Sequence, residues 1–454
     1  MVQSPEKIIS RLVTAALLAL AVVSSAMAVT TPPPQPQRSA LRYDYDYPVI
    51  GYAERPTHNR VARLQERVAS GAVKLTFDNR RGYLDSLLRA LEIDASSQTL
   101  VFSKTSLQVS AITAATPRAI YFNEDTYVAW VQGTNLLEFT TMDSALGPVF
   151  YTLVNQTDPQ PSFDRETSRC LACHDTFSMM GGGVPRFLLM SSFVDANGEP
   201  VTNDTSSEIA DDTPIQDRWA GWYVTGQHGA QTHLGNIMFR ATDFRRRNEL
   251  KDGVPRHGNL DTLAGLLDTH PYLTDKSDIV ALLVLEHQLN IENLITRANF
   301  KSRTLLARDP DDAEARTWNA LSPKMQRTLH PMLDTLVRAM LSVNTAPITD
   351  RIISTSGFDK WFQSRGPHDN QGRSLRQLDL QTRVFTYPLS YVIYSDGFDG
   401  LPECARDYIY QRLHAVLTGD ETNTDFAHIT AADRKATLEI LTATKPEFAR
   451  GISG

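Results

Sequence analysis

Cys170-Leu171-Ala172-Cys173-His174 constrains this chain more than any other stretch of its sequence. Two cysteines two residues apart, followed at once by histidine, form the attachment pattern of a c-type haem. The two thiols add across the vinyl groups of the porphyrin, and their spacing matches the separation of those vinyls. The adjacent imidazole then meets the iron as its proximal axial ligand. The chain has only three cysteines and eleven histidines, so this juxtaposition is informative. A thioredoxin-like redox pair would want a βαβ context, and a zinc ribbon would want a second CxxC. The sequence offers neither.

The N-terminus points the same way. Lys7 and Arg11 form a short basic region, Leu12 to Val23 is mostly apolar, and Ala26-Met27-Ala28 has the small-x-small form of a cleavage site. Residues 1–28 therefore read as a secretory signal peptide; the other reading, an uncleaved membrane anchor, requires a longer apolar run. Haem c is attached after export, so the expected address is the bacterial periplasm or beyond. About 425 residues remain after cleavage, enough for two or three domains. With 41% hydrophobic and 21% charged residues the composition is that of a globular protein, and no later segment reads as a transmembrane segment. A net charge of −7 argues against a nucleic-acid partner. If Cys170 and Cys173 carry haem, Cys404 has no partner and reads as a buried small apolar residue, otherwise as a reactive thiol.

Residues 29–45 form a proline-rich linker, with Thr31 to Gln37 extended. Residues 46–165 read as an α+β region. Helices are predicted over Asn59 to Ala69 and Gly82 to Leu91, from leucines and valines three and four apart. Strands are predicted at Leu100 to Phe102, Ala119 to Phe122, Tyr127 to Val131 and Val149 to Leu153, in a sheet of some four to six strands. Residues 166–250 form the haem region, with strand signals at Phe187 to Phe193 and Trp219 to Thr225. Residues 251–454 read as mainly helical, over Leu260 to Asp268, Asp278 to Phe300, Pro323 to Ser342 and Glu403 to Leu417. The expected class is α+β: a small N-terminal sheet region followed by a mainly helical, haem-bearing body.

What faces the other side of the iron decides the chemistry. His228 and His233 lie in a stretch dense in tryptophan, glycine and histidine, where glycines let backbone approach a flat macrocycle. Either could ligate the iron, or stand off it as an acid–base group, which makes both candidate catalytic residues. Otherwise they are loop histidines bonded to backbone. Met179 and Met180 are too close to the motif to reach round the ring, and Met190 sits in an apolar run. Glu286, Asn290, Asn293 and Arg297 align on one helical face, with His287 beside Glu286. That stripe could line a cavity or a second metal, but such a stripe is more often a solvated face or a buried hydrogen-bond network. Arg245-Arg246-Arg247 could meet a haem propionate or an acidic partner, but reads first as a solvated turn. His257 and His270 carry no spacing signal.

The segment from Cys170 to Pro185 resembles class I c-type cytochromes: the motif, the glycines Gly181-Gly182-Gly183, and a proline eleven residues past His174. The whole resembles large exported bacterial proteins with one cytochrome c signature in a longer chain. The resemblance implies one covalent haem c, with Cys170, Cys173 and His174 holding it. It also implies that the carbonyl of Pro185 accepts a hydrogen bond from the His174 ring. Met238, sixty-four residues past His174, stands where that family places a distal methionine. The expected function is one-electron transfer with a periplasmic redox partner protein. The alternatives are a haem oxidoreductase with an open distal site, acting on peroxide, nitrogen or sulfur oxides or an organic small molecule, and a haem-based sensor or binding module. The chain is more than four times the length of a compact cytochrome and has no second CxxCH of the dihaem-peroxidase kind.

Overall fold

The structure, a computed structural model, describes residues 44–175, 183–201, 206–240 and 258–451. The signal-peptide assignment, nearly all of the linker, Met179, Met180, Arg245 to Arg247 and His257 lie outside the described residues.

Residues with β-branched and aromatic side chains build a seven-stranded antiparallel sheet from β1 (Thr99–Val101), β2 (Arg118–Phe122), β3 (Thr126–Val131), β4 (Leu136–Asp143), β5 (Gly147–Val154), β6 (Asp164–Glu166) and β9 (Trp222–Tyr223), in the order β6-β5-β4-β3-β2-β1-β9. The remaining strands, β7 (Met190–Ser192) and β8 (Ser206–Glu208), pair with each other. Register places Val128, Phe139 and Tyr151 in one row, and Ala129, Glu138 and Thr152 in the row on the opposite face. The first face is buried under two helices, α1 (Arg60–Ala69) and α2 (Leu84–Ala90), through Val61, Leu64, Leu84 and Leu87. Asn59 caps α1, its Oδ1 accepting from the Ala62 amide at 2.9 Å.

The second face is covered in part by the helical C-terminal region. After the one-turn α3 (Leu171–His174), its spine is α4 (Ile279–Leu306), 28 residues long and buried around most of its circumference. Around it lie α5 (Pro323–Met340), α6 (Phe358–Ser364), α7 (Asp396–Asp399), α8 (Glu403–Thr418), α9 (Ala431–Thr444) and α10 (Pro446–Gly451). Cys404, in α8, is fully buried as a small apolar residue. The fold is thus α+β, an N-terminal antiparallel sheet followed by a mainly helical region. No helix among the described residues is long and apolar enough to cross a membrane.

Several elements differ from expectation, among them Trp219 to Thr225, of which only Trp222–Tyr223 is strand. β4 joins the sheet although its LLEFTTMD sequence mixes polar and apolar residues, because Leu137 and Phe139 are buried while Leu136, Glu138 and Thr140 on the other face are only half-buried. Leu260 to Asp268 is not a helix: Gly265 sits at φ +92° and the Leu263 amide donates to the Asp275 carbonyl, so turns replace the helical ladder. Of Phe187 to Phe193, only Met190–Ser192 is strand.

Asp278 fixes where α4 begins. Its Oδ1 accepts from the amides of Val280 (2.8 Å) and Ala281 (3.4 Å), while Oδ2 accepts from Ser354 Oγ and the amides of Thr355 and Ser356 at 2.8–2.9 Å. Asp278→Ala removes the cap and strands buried donors, and should lower the unfolding free energy by about 3 kcal/mol in urea denaturation. A loss under about 1 kcal/mol would mean that the 354–356 loop is not tied to the helix through this carboxylate.

Candidate haem site

The CxxCH motif begins just beyond the edge strand β6. The Ala172 amide donates to Ser168 O, and the amides of Cys173 and His174 donate to Cys170 O at 3.1 and 2.9 Å, closing a single helical turn. In such a turn positions i, i+3 and i+4 share a face, which groups Cys170, Cys173 and His174. Leu171, on the other side, is buried in the core beneath. Both thiols are free, Cys170 half-buried and Cys173 exposed. Burial first, then the neighbouring Glu166 and Glu138, pushes the Cys170 thiol up to about 12.

His174 is held by two bonds to one residue: its carbonyl accepts from the Arg186 amide, and its Nδ1 donates to the Arg186 carbonyl, each at 2.9 Å. A carbonyl can only accept, so Nδ1 carries the proton and Nε2 keeps its lone pair. Nε2 has no hydrogen-bond partner among the described residues. The ring lies against Phe150 of β5, centroids 4.7 Å apart. Burial pushes its pKa down to about 4, so the imidazole is neutral at pH 7, as a metal ligand must be. The accepting carbonyl is that of Arg186, not of Pro185, one residue further along than expected. Arg186 is positioned from both sides: Nη1 donates to Glu208 of β8 at 3.2 Å, and Asn293 of α4 exchanges two hydrogen bonds, 2.8 and 3.1 Å, with the backbone of Phe187.

His228 and His233 are brought to each other, not to His174. Their rings meet edge-on at 4.8 Å, and His233 lies against Trp219. His228 Nε2 accepts from the Asn259 amide at 2.9 Å, and His233 Nδ1 from the Gly235 amide at 3.0 Å. Met238 follows Asn236, whose amide donates to Trp222 O in β9. All three therefore stand at the β9 edge, whereas His174 stands on β5. Five inter-strand steps separate these strands, on the order of 24 Å along the sheet. The reason is the path of residues 186–192. It leaves His174, passes Tyr127 of β3 through Phe187 (4.9 Å), and reaches Trp222 of β9, whose Nε1 donates to Met190 O at 2.8 Å. His270 is paired with Asp268 at the surface.

The polar stripe of α4 is a hydrogen-bonded network for three of its four members, with Glu286 buried and Asn290 and Asn293 half-buried. Glu286 binds the Arg218 guanidinium at 2.5 Å and accepts from Trp219 Nε1. Asn290 donates to Asp211 at 3.0 Å, Asn293 holds Phe187, and Arg297 is exposed. His287 joins two residues that had no signal in the sequence. Its Nδ1 meets Asp211 Oδ2 at 3.0 Å and its Nε2 meets Ser390 Oγ at 2.8 Å. The connectivity is that of a Ser-His-Asp relay. Yet Ser390 is 1% exposed, its Oγ caps the turn at Val392, and the rings of Phe385 and Tyr391 flank the imidazole. No substrate reaches that hydroxyl, and the trio fastens two loops to α4. No cluster of three or more metal-ligating side chains occurs among the described residues.

No protein-family model, curated protein or solved structure was found to match this chain. The assignment therefore rests on the residues themselves.

Glu292 gives a test of the buried network. Its Oε2 accepts from Tyr127 at 2.7 Å, its Oε1 is buried without a partner among the described residues, and burial holds its carboxyl well above the ordinary value. A carboxyl raised in the folded state favours folding most below its unfolded pKa, and loses that advantage as pH rises through the folded value. Glu292→Gln, a mimic of the protonated form, should melt like the wild type near pH 4.5 and a few degrees higher at pH 8. An equal offset at both values would show that Glu292 does not carry that pH dependence.

Proposed function

We propose that this chain is an exported monohaem c-type protein that works by one-electron redox chemistry, with Cys170 and Cys173 as thioether anchors and His174 as the iron's proximal ligand. The observation that carries this reading is the His174 ring: its Nδ1 is committed to the Arg186 carbonyl, and its unpartnered Nε2 shares a helical face with two free thiols. The residues fit the group. Buried donors without a partner among the described residues sit on Arg186 (Nε and Nη2), whose carbonyl holds the His174 ring, and would be available to an anionic ligand.

When bound, haem c supplies a centre that accepts and releases one electron at a time. The chain does the rest. Leu171 pins the turn into the core, Phe150 covers one side of the imidazole, and the Arg186 carbonyl fixes its tautomer and raises its basicity. Asn293 holds that carbonyl in place from the most deeply buried helix. The partner expected of such a centre is a redox protein of the periplasm.

One observation favours a second reading, a haem oxidoreductase or sensor with an open distal position: His228, His233 and Met238 all stand at the far edge of the sheet from His174.

Protein matured in a host that attaches haem c should show one haem per chain by pyridine haemochrome, retained on a denaturing gel, and Cys170→Ala with Cys173→Ala should abolish it. Wild type without covalent haem would overturn the proposal. Optical spectra then divide the readings. A low-spin ferrous form indifferent to CO supports the electron carrier, whereas ready CO binding supports the open site.

A further inference from the structure

We propose that Asn293 is a positioning residue for the His174 imidazole: by bonding the same peptide unit that holds the ring, it makes His174 a stronger electron donor to the iron. This inference rests on the haem reading above.

The carbonyl of Arg186 and the amide of Phe187 are the two ends of one peptide unit. At one end, the carbonyl accepts from His174 Nδ1 at 2.9 Å. At the other, the amide donates to Asn293 Oδ1 at 2.8 Å. Asn293 Nδ2 in turn donates to the Phe187 carbonyl at 3.1 Å, which fixes which way round the side-chain amide sits. A backbone N–H can only donate and a backbone carbonyl can only accept, so the flipped amide would lose both bonds. The result is an unbroken line of donors and acceptors, from Asn293 Oδ1 through the 186–187 peptide to the imidazole. Hydrogen bonds in series polarise one another. An acceptor on the amide N–H leaves more negative charge on the carbonyl oxygen, and that oxygen draws harder on the Nδ1 proton. The ring then carries more electron density at Nε2, the atom that would meet the iron.

Each member of the line is also fixed from outside it. Asn293 lies on α4 beside Ile291 and Glu292, both fully buried. The buried Phe187 ring packs on Tyr127, centroids 4.9 Å apart. Arg186 is tied back to the CxxCH turn through its amide, which donates to the His174 carbonyl at 2.9 Å. The Arg186 carbonyl by itself fixes the tautomer of the ring; Asn293 sets how strongly that carbonyl pulls. The consequence has a sign. A ring with added anionic character favours ferric over ferrous iron, so the bond from Asn293 lowers the midpoint potential of the centre.

The test compares two variants of the full chain. Asn293→Leu removes both bonds, whereas Asn293→Asp offers the Phe187 amide a stronger, charged acceptor but cannot donate to the Phe187 carbonyl. In the haem-loaded protein, Asn293→Leu should shift the midpoint potential positive and Asn293→Asp should shift it negative. A second readout needs no haem and is blind to the effect of the new charge on the iron. In the same chain lacking haem, the His174 Nδ1 proton resonance, assigned against His174→Gln, should move upfield in Asn293→Leu and downfield in Asn293→Asp. A residue that only braced the loop would move both variants the same way, because Asp braces it less well than Asn. Displacements of the resonance in one common direction would therefore overturn the inference, and so would a resonance or a potential that stays at the wild-type value in folded Asn293→Leu. Wild type without covalent haem would instead fail the parent reading, while the Nδ1 resonance still decides this one.

Discussion

Burying α4 around most of its circumference puts a premium on partners for the polar side chains it carries on those faces. A buried polar group without one costs more than a hydrogen bond returns, so such a helix recruits its surroundings. Glu286 takes Arg218 and Trp219, His287 takes Asp211 and Ser390, and Asn293 takes the backbone of Phe187. Each partner belongs to a loop rather than to a regular element. The helix thus acts as an internal template on which irregular chain is fixed, beginning with Asp278, which ties its first turn to residues 354–356. The last link of one such chain is His174. Asn293 holds Phe187, and the preceding residue, Arg186, grips the imidazole.

The sheet sets the complementary constraint. One face is sealed by α1 and α2, and α4 crosses part of the other. The CxxCH turn follows β6 at the edge of the sheet, with Cys173 exposed and Leu171 anchored in the core. That placement suits the proposed attachment, which would need an imidazole fixed in tautomer and direction and thiols that stay reachable.

Much of this was legible in advance, and what was not has identifiable causes. The helices α1, α2, α4, α5 and α8 follow from apolar residues three and four apart, and most of the strands from β-branched and aromatic runs. β4 was hidden because Glu138, Thr140 and Thr141 dilute its apolar residues. Those polar side chains are tolerated where Glu138 finds Ser106 and Leu107, and where Thr141 finds Thr126. Leu260 to Asp268 has helical spacing but contains Gly265, which the fold uses at positive φ. At the site, the local part of the pattern was readable: a CxxCH turn groups its own ligands. The long-range part was not. Asp211, Ser390 and Glu138 carry no local signature, and their roles come from which loop meets which face.

The distance between His174 and the histidine pair follows from the same topology. In a compact cytochrome of the class I type, a methionine some sixty residues past the motif closes the other side of the haem. That arrangement requires the intervening chain to turn back. Here residues 186–192 run straight across the sheet, fixed at β3 by Phe187 on Tyr127 and at β9 by Trp222 on Met190. With the segment tethered at β3 and β9, Met238 is carried to the β9 side rather than back to β5. The resemblance therefore covers the attachment turn and stops there, and the rest of the site is this fold's own. If haem is attached at this turn as proposed, two thioethers would hold it however deeply it is enclosed, so the site would not need the closed pocket that a non-covalent haem requires.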